Sequence, residues 1–214
     1  MTDDRSEGPH PGRIMLATPT RFDPAALAPR LADALATGEV GCVRIDLPGA
    51  EEDEIRAAAD ALRPVCHAAD VAIILSGHYR LAAQLGLDGA EVEARGVKLR
   101  DARAELGKDA ILGAACGDSR HAGMTAAEAG VDYVLFRPYR AEGDLGDGTE
   151  ASLDLFQWWA EMIETPVVAE GGIEAPEARE LAPYADFIIP SVSIWEDDVA
   201  AAVRAFARII EVAG

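Results

Sequence analysis

Eight short apolar runs, each followed by an Ala-rich amphipathic segment, recur at roughly 25-residue spacing from residue 13 onward, the unit length of a βα repeat. They fall at residues 14–17, 42–47, 71–75, 89–92, 110–115, 131–136, 167–169 and 187–189. A continuous apolar run suits a strand buried on both faces, the condition of a parallel sheet flanked by helices. Eight such units in 214 residues, with no long linker between them, predict a single α/β domain, a TIM (β/α)8 barrel over residues 13–214. An open doubly wound sheet is the competitor, but no Gly-x-Gly-x-x-Gly follows the first run.

The punctuation between runs agrees with this reading. Asp23 followed by Pro24 reads as an N-cap and a proline at the first helical position, and Gly38 closes that segment. Acidic residues open the segment at 51–67, where they face the positive end of the helix dipole. Residues 1–12 are polar and lack a signal-peptide core, so they are expected to form a disordered leader. No apolar run approaches transmembrane length.

Charge narrows the partners. A net charge of −19 argues against nucleic acid and anionic membranes, both of which need a basic footprint. An anionic ligand must therefore be held by a local site against an unfavourable general field. Lys98 and Lys108 are the only lysines, which leaves almost no candidate for a Schiff base. Cys42, Cys66 and Cys116 form no paired motif, and a reducing cytoplasm fits them best.

Ligands of βα barrels bind at the C-terminal ends of the strands, so the residues just past each run are the candidates. After the seventh run, in Pro-Val-Val-Ala-Glu-Gly-Gly-Ile at 166–173, come Gly171 and Gly172; after the eighth come Ser191 and Ser193. Two such turns side by side suit a phosphate held on backbone N–H groups, with a plain tight turn as the alternative for the glycines. The other strand-end residues are Asp46, His78, Glu91, Glu93, Cys116, Asp118, Arg137 and Glu170. Carboxylates with a histidine make an acid/base set or a hard-metal site, although acidic residues are plentiful enough here to fall at strand ends by chance. Asp46 and Glu170 directly follow buried runs and, with Arg137, are the candidate catalytic groups. A buried carboxylate needs a partner, which Arg137 or Arg140 could supply. Arg137 also suits a substrate phosphate, with a rim salt bridge as its alternative. Cys116 reads as a small buried thiol, with a nucleophile as its alternative. The 139–150 loop reads equally as a lid or as plain disorder.

In its stretches at 81–92, 101–107, 128–136 and 166–173, and in their order over about residues 14 to 195, the chain resembles the thiamine phosphate synthase / TenI family. The resemblance implies a cytoplasmic barrel of thiamine biosynthesis that binds a small phosphorylated molecule, either as a monomer or as a homo-oligomer. It implies a thiazole phosphate at the seventh and eighth strand ends and coupling to a pyrimidine diphosphate with Mg²⁺ and loss of pyrophosphate. The chain departs from the family where diphosphate and metal would sit. Asp46-Leu-Pro-Gly-Ala50 replaces a Gln-Leu-Arg-x-Lys stretch, Ser76-Gly77 an Asn-Asp pair, and Arg137-Pro138 a Gly-Pro. Two alternatives follow: a catalytically silent phosphate-binding relative, or an enzyme acting on another small phosphorylated substrate.

Overall fold

The computed structural model describes residues 13–141 and 149–214. The expected leader at 1–12 and the centre of the 139–150 loop lie outside the described residues. The strands β1 (Ile14–Ala17), β2 (Val40–Ile45), β3 (Ala72–Ser76), β4 (Gly89–Glu93), β5 (Ile111–Ala115), β6 (Tyr133–Phe136), β7 (Val167–Ala169) and β8 (Phe187–Ile188) form a closed barrel in chain order. All neighbours are parallel, and the barrel closes where Ile188 pairs with Ile14. Around it lie α1 (Pro24–Leu35), α2 (Glu52–Ala68), α3 (Tyr79–Gln84), α4 (Leu99–Leu106), α5 (Arg120–Glu128), α6 (Leu153–Met162), α7 (Ala175–Leu181) and α8 (Val199–Ala213). The expected (β/α)8 barrel is therefore the fold. The last strand is one residue shorter than the apolar run, but Ile189 N–H still donates to Ala169 at 2.9 Å. A single 3₁₀ turn, Val192–Trp195, follows it and had no signal in the periodicity.

Capping follows the sequence. Asp23 accepts from the Ala25 N–H at 3.0 Å with Pro24 behind it, Ser119 from Ala122 at 3.2 Å, and Asp198 from Ala201 at 3.0 Å. Each such cap contributes about 1 kcal/mol by satisfying a donor the helix leaves open.

Strand alternation divides the apolar side chains into two sets. Outward residues such as Val43, Ile45, Ile73, Leu75, Val134 and Phe136 pack against the helices. Inward residues Met15, Cys42, Ile74, Leu135, Val168 and Ile189 fill the barrel interior as a separate cluster. Three aspartates fasten the N-terminal end. Asp88, Asp132 and Asp186 sit one residue before β4, β6 and β8 and accept from the N–H of Ile73, Leu112 and Val167 at 2.8, 2.7 and 2.8 Å. Their own N–H groups donate back to the same three residues at 2.9, 2.8 and 2.9 Å. Each aspartate thus extends a strand pair by one rung and satisfies a backbone donor beyond the ladder. Among the described residues no helix is long and apolar enough to cross a membrane.

Candidate active site

The inward parity that places Cys42 inside the barrel also places Arg44, two residues along β2. Arg44 is fully buried, and so are Glu91 on β4 and Glu170 just past β7, at 2% and 4% exposure. A charge in such a place persists only if it is paired and hydrogen-bonded. Arg44 Nη1 donates to Glu91 Oε1 at 2.8 Å and to Glu170 Oε2 at 3.2 Å. Its Nη2 donates to Glu170 Oε1 and to Asp46 Oδ2, the latter at 3.3 Å. Among the described residues Arg44 Nε has no partner. Arg137, just past β6, donates from Nη1 to Glu170 Oε2 at 2.9 Å and from Nη2 to Glu93 Oε1. Beneath them the Tyr133 hydroxyl donates to Glu91 Oε2 at 2.8 Å. Gly113 makes that last bond sterically feasible: a Cβ there would lie 2.1 Å from Tyr133 Cζ.

The electrostatics separate the two central carboxylates. Burial pushes the Glu91 carboxyl upward and the neighbouring Glu170 charge adds to this, with Arg44 only partly opposing them. Glu170 is equally buried, which alone would raise it. Two guanidiniums grip it instead and hold it below the usual carboxylate range. Arg44 and Arg137 have their pKa values raised despite burial, because these carboxylates favour the charged form. Burial pushes Cys116 up to about 12, which fits the expected inert thiol and no nucleophile.

Above this floor opens a cavity of about 950 Å³ at the C-terminal ends of the strands. Asp46, His78, Glu93, Cys116, Asp118, Arg137 and Glu170 all line it, so the structure brings these seven candidates together, while Glu91 lies below. Glu170 turns inward to Arg137, the partner expected for it. Arg44 and Tyr133 escaped the sequence reading. Arg44 did carry a signal: it is the one charged residue inside β2, on the parity of the interior.

The phosphate-site candidates Gly171, Gly172, Ser191 and Ser193 do not line this cavity; its wall includes their chain neighbours Glu170, Pro190 and Val192. The turns after β7 and β8 are joined, since Ser191 N–H donates to Ile173 at 2.9 Å. Gly171 and Gly172 have φ of 100° and 57°, a region that favours glycine. The glycines also have a packing role that the sequence did not disclose. A Cβ on Gly171 would meet Pro138 Cα at 2.7 Å, and one on Gly172 would meet Arg140 Cβ at 2.8 Å. The chain after β6 runs alongside, with Tyr139 N–H donating to Glu170 at 2.8 Å and Arg140 N–H to Gly171 at 2.9 Å. The Ser193 hydroxyl donates to Glu174 at 2.8 Å, leaving its backbone as the part of that residue suited to a ligand.

Mg²⁺ takes oxygen ligands in near-octahedral array. Among the described residues no three His, Cys, Asp or Glu side chains converge as a metal-binding set. Asp46, Glu91, Glu93 and Glu170 are each bonded to an arginine. The carboxylates that face the cavity, Asp46, Glu93 and Glu170, are thus engaged by guanidiniums and not grouped as a metal-ligand set.

The family model described as thiamine monophosphate synthase matches residues 14–189. A thiamine-phosphate synthase of Rhodospirillum centenum is 42% identical over 201 residues, covering 92% of this chain and 97% of that protein. One from Erythrobacter litoralis is 36% identical, covering 86% and 89%. A solved structure of thiamine phosphate pyrophosphorylase from Pyrococcus furiosus superposes with a TM-score of 0.82 at 22% identity, over 95% of this chain and 98% of that one.

Proposed function

The chain belongs to the thiamine monophosphate synthase family, and on that premise we propose that it serves thiamine biosynthesis by binding a thiazole phosphate or thiamine phosphate in the barrel mouth. The phosphate monoester rests at the ends of β7 and β8, on the backbone of Gly171, Gly172 and Ser193, with the Ser191 hydroxyl assisting. Backbone N–H groups suit a dianion in a chain with two lysines. The heterocycle extends over the floor, where Arg137, Glu170 and Asp46 face it. One observation carries this reading: a single cavity reaches from Val192 and Pro190 beside the phosphate turn to Arg137 and Glu170. We place the protein in the cytoplasm, which its three free, buried cysteines support.

Calorimetric titration with thiazole phosphate, thiamine phosphate, sugar phosphates and inorganic phosphate tests the assignment. Binding of the first two, tighter than of the sugar phosphates, is expected. No binding of any phosphomonoester at millimolar concentration would overturn it.

A second reading has its own observation. Asp46, Glu93 and Glu170 in the mouth and Glu91 below it are all held by arginines, which favours a relative that binds without condensing. In the condensation a carbon–nitrogen bond forms while the carbon–oxygen bond to diphosphate breaks. Turnover of both substrates to thiamine phosphate and pyrophosphate, assayed with Mg²⁺, is expected to be weak; robust turnover would exclude the silent relative.

A further inference from the structure

The turn after β7 breaks the alternation of a strand. Along a regular parallel strand successive carbonyls point to opposite neighbours. Here Glu170 and Gly171 both turn their carbonyls towards the segment after β6, where they accept from the N–H groups of Tyr139 at 2.8 Å and Arg140 at 2.9 Å. In a planar trans peptide the N–H points opposite to the carbonyl. The N–H groups of Gly171 and Gly172 therefore both point away from β6, to the side of β8 and its turn. Successive N–H groups aimed the same way make an anion-binding concavity, and the φ of 100° at Gly171 permits it. Residues 139 and 140 thus set the direction of the donors.

These two residues are themselves fixed from outside the mouth. Tyr139 is 1% exposed and stands outside the cavity wall. Its hydroxyl donates to Glu180 Oε2 on α7 at 2.7 Å. Its ring meets Phe156 edge-on with centroids 5.9 Å apart, and the Arg140 guanidinium lies 4.4 Å over the ring. Burial and the bond to Glu180 push the Tyr139 hydroxyl up to about 12, so it remains a donor at neutral pH. Because α7 starts at Ala175, the bond ties the helix that follows the turn to the segment that runs beside the turn.

We propose that Tyr139 and Glu180 are positioning residues for the phosphate turn: their hydrogen bond holds the 139–140 segment, and through it the Gly171 and Gly172 N–H groups, in the direction a phosphate monoester needs. The inference rests on the phosphate reading given above and deepens it. Neither side chain lines the cavity, so both act on the ligand through the backbone of the turn.

The test measures binding of inorganic phosphate and of thiazole phosphate by calorimetry, and amide hydrogen exchange at positions 139 and 140 without ligand. Tyr139→Phe keeps the ring and removes the donor; Glu180→Ala removes the acceptor, and Glu180→Gln keeps one. Tyr139→Phe and Glu180→Ala are each expected to bind both probes about tenfold more weakly, the order at which outer-shell hydrogen bonds act on groups that hold a ligand. Amide exchange at 139 and 140 is expected to quicken in the same two variants. The double variant should lose no more than either single one, and Glu180→Gln should stay near wild type. Asp132→Ala, at the opposite end of the barrel, controls for lost stability. Wild-type affinity and exchange in Tyr139→Phe and Glu180→Ala would overturn the inference and leave the phosphate reading standing. An equal loss of affinity in Asp132→Ala, or in Glu180→Gln, would do the same. Failure of wild type to bind either probe would overturn the phosphate reading and this inference together.

Discussion

The two ends of the barrel use the same side-chain chemistry for different ends. At the N-terminal end Asp88, Asp132 and Asp186 accept backbone N–H groups from the preceding strand, 15, 20 and 19 residues away in sequence. At the C-terminal end Glu91 and Glu170 meet Arg44 across 47 and 126 residues. The first set recurs before every second strand from β4 to β8 and sits nearer solvent, and the partner its members share is a backbone amide, to which Arg103 is added at Asp132. The second set is buried, its partners are ions, and it exists only once the barrel has closed. The difference teaches that carboxylate number says little about role. Location relative to strand direction and burial separate the two sets.

The sharpest way to break the comparison is Arg44→Met. Removing one partner of a buried network leaves uncompensated charge, so a loss of about 3–5 kcal/mol in urea unfolding is expected. A loss comparable to that from removing an N-terminal aspartate would show that the two ends are energetically alike. Combining Arg44→Met with Glu170→Gln should recover part of the loss, because one of the orphaned charges is then gone.

Next in size is Glu170→Gln, with an expected cost of about 2–3 kcal/mol at neutral pH, as for hydrogen bonds to charged groups. Its pH dependence has a definite sign. The folded-state pKa of Glu170 is depressed, so its stabilisation is present above the unfolded carboxylate pKa and is lost as pH falls through the folded value. The gap between wild type and Glu170→Gln should therefore shrink below the ordinary carboxylate range, as read from urea midpoints across acid pH. A gap that holds constant down to the folded pKa and below would count against the ion-pair account.

At the other end Asp132→Ala removes the acceptor of the Leu112 N–H and the partner of Arg103 at 2.5 Å. About 1–2 kcal/mol of stability should go, with ligand binding at the mouth unchanged. A binding defect would mean that the ends are coupled through the strands. The smallest effect on stability is expected from Glu93→Gln, about 0.5 kcal/mol or less in the same unfolding assay, since its pair with Arg137 is exposed on the glutamate side. A larger loss would place Glu93 in the structural set.

Much of the barrel was legible because parallel strands buried on both faces leave unbroken apolar runs, and several helices, α1, α5 and α8 among them, open on a recognisable cap. The runs at 14–17 and 167–169 coincide with β1 and β7. The 3₁₀ turn after β8 was not legible, since four residues held partly by the Trp195 indole donating to Ala17 at 2.8 Å carry no period. At the mouth, Asp46, Arg137 and Glu170 were found because they stand where apolar runs stop. Arg44 and Tyr133 were missed because each lies inside a run. There a single polar residue is absorbed into the apolar average unless its inward parity is followed.

By itself, then, the sequence determined the repeat, the strand-end positions and, through alternation, which side chains turn inward, because these depend on spacing along the chain. Only the tertiary structure decided that Gly171 and Gly172 make room for the segment carrying Pro138 and Arg140 as well as forming a turn. It alone decided that Arg44 answers Glu91 and Glu170 and that Arg137 divides itself between Glu170 and Glu93. Such pairings follow distance and dielectric in space. β2, β4, β6 and β7 come within reach of one another only around the axis of a closed barrel.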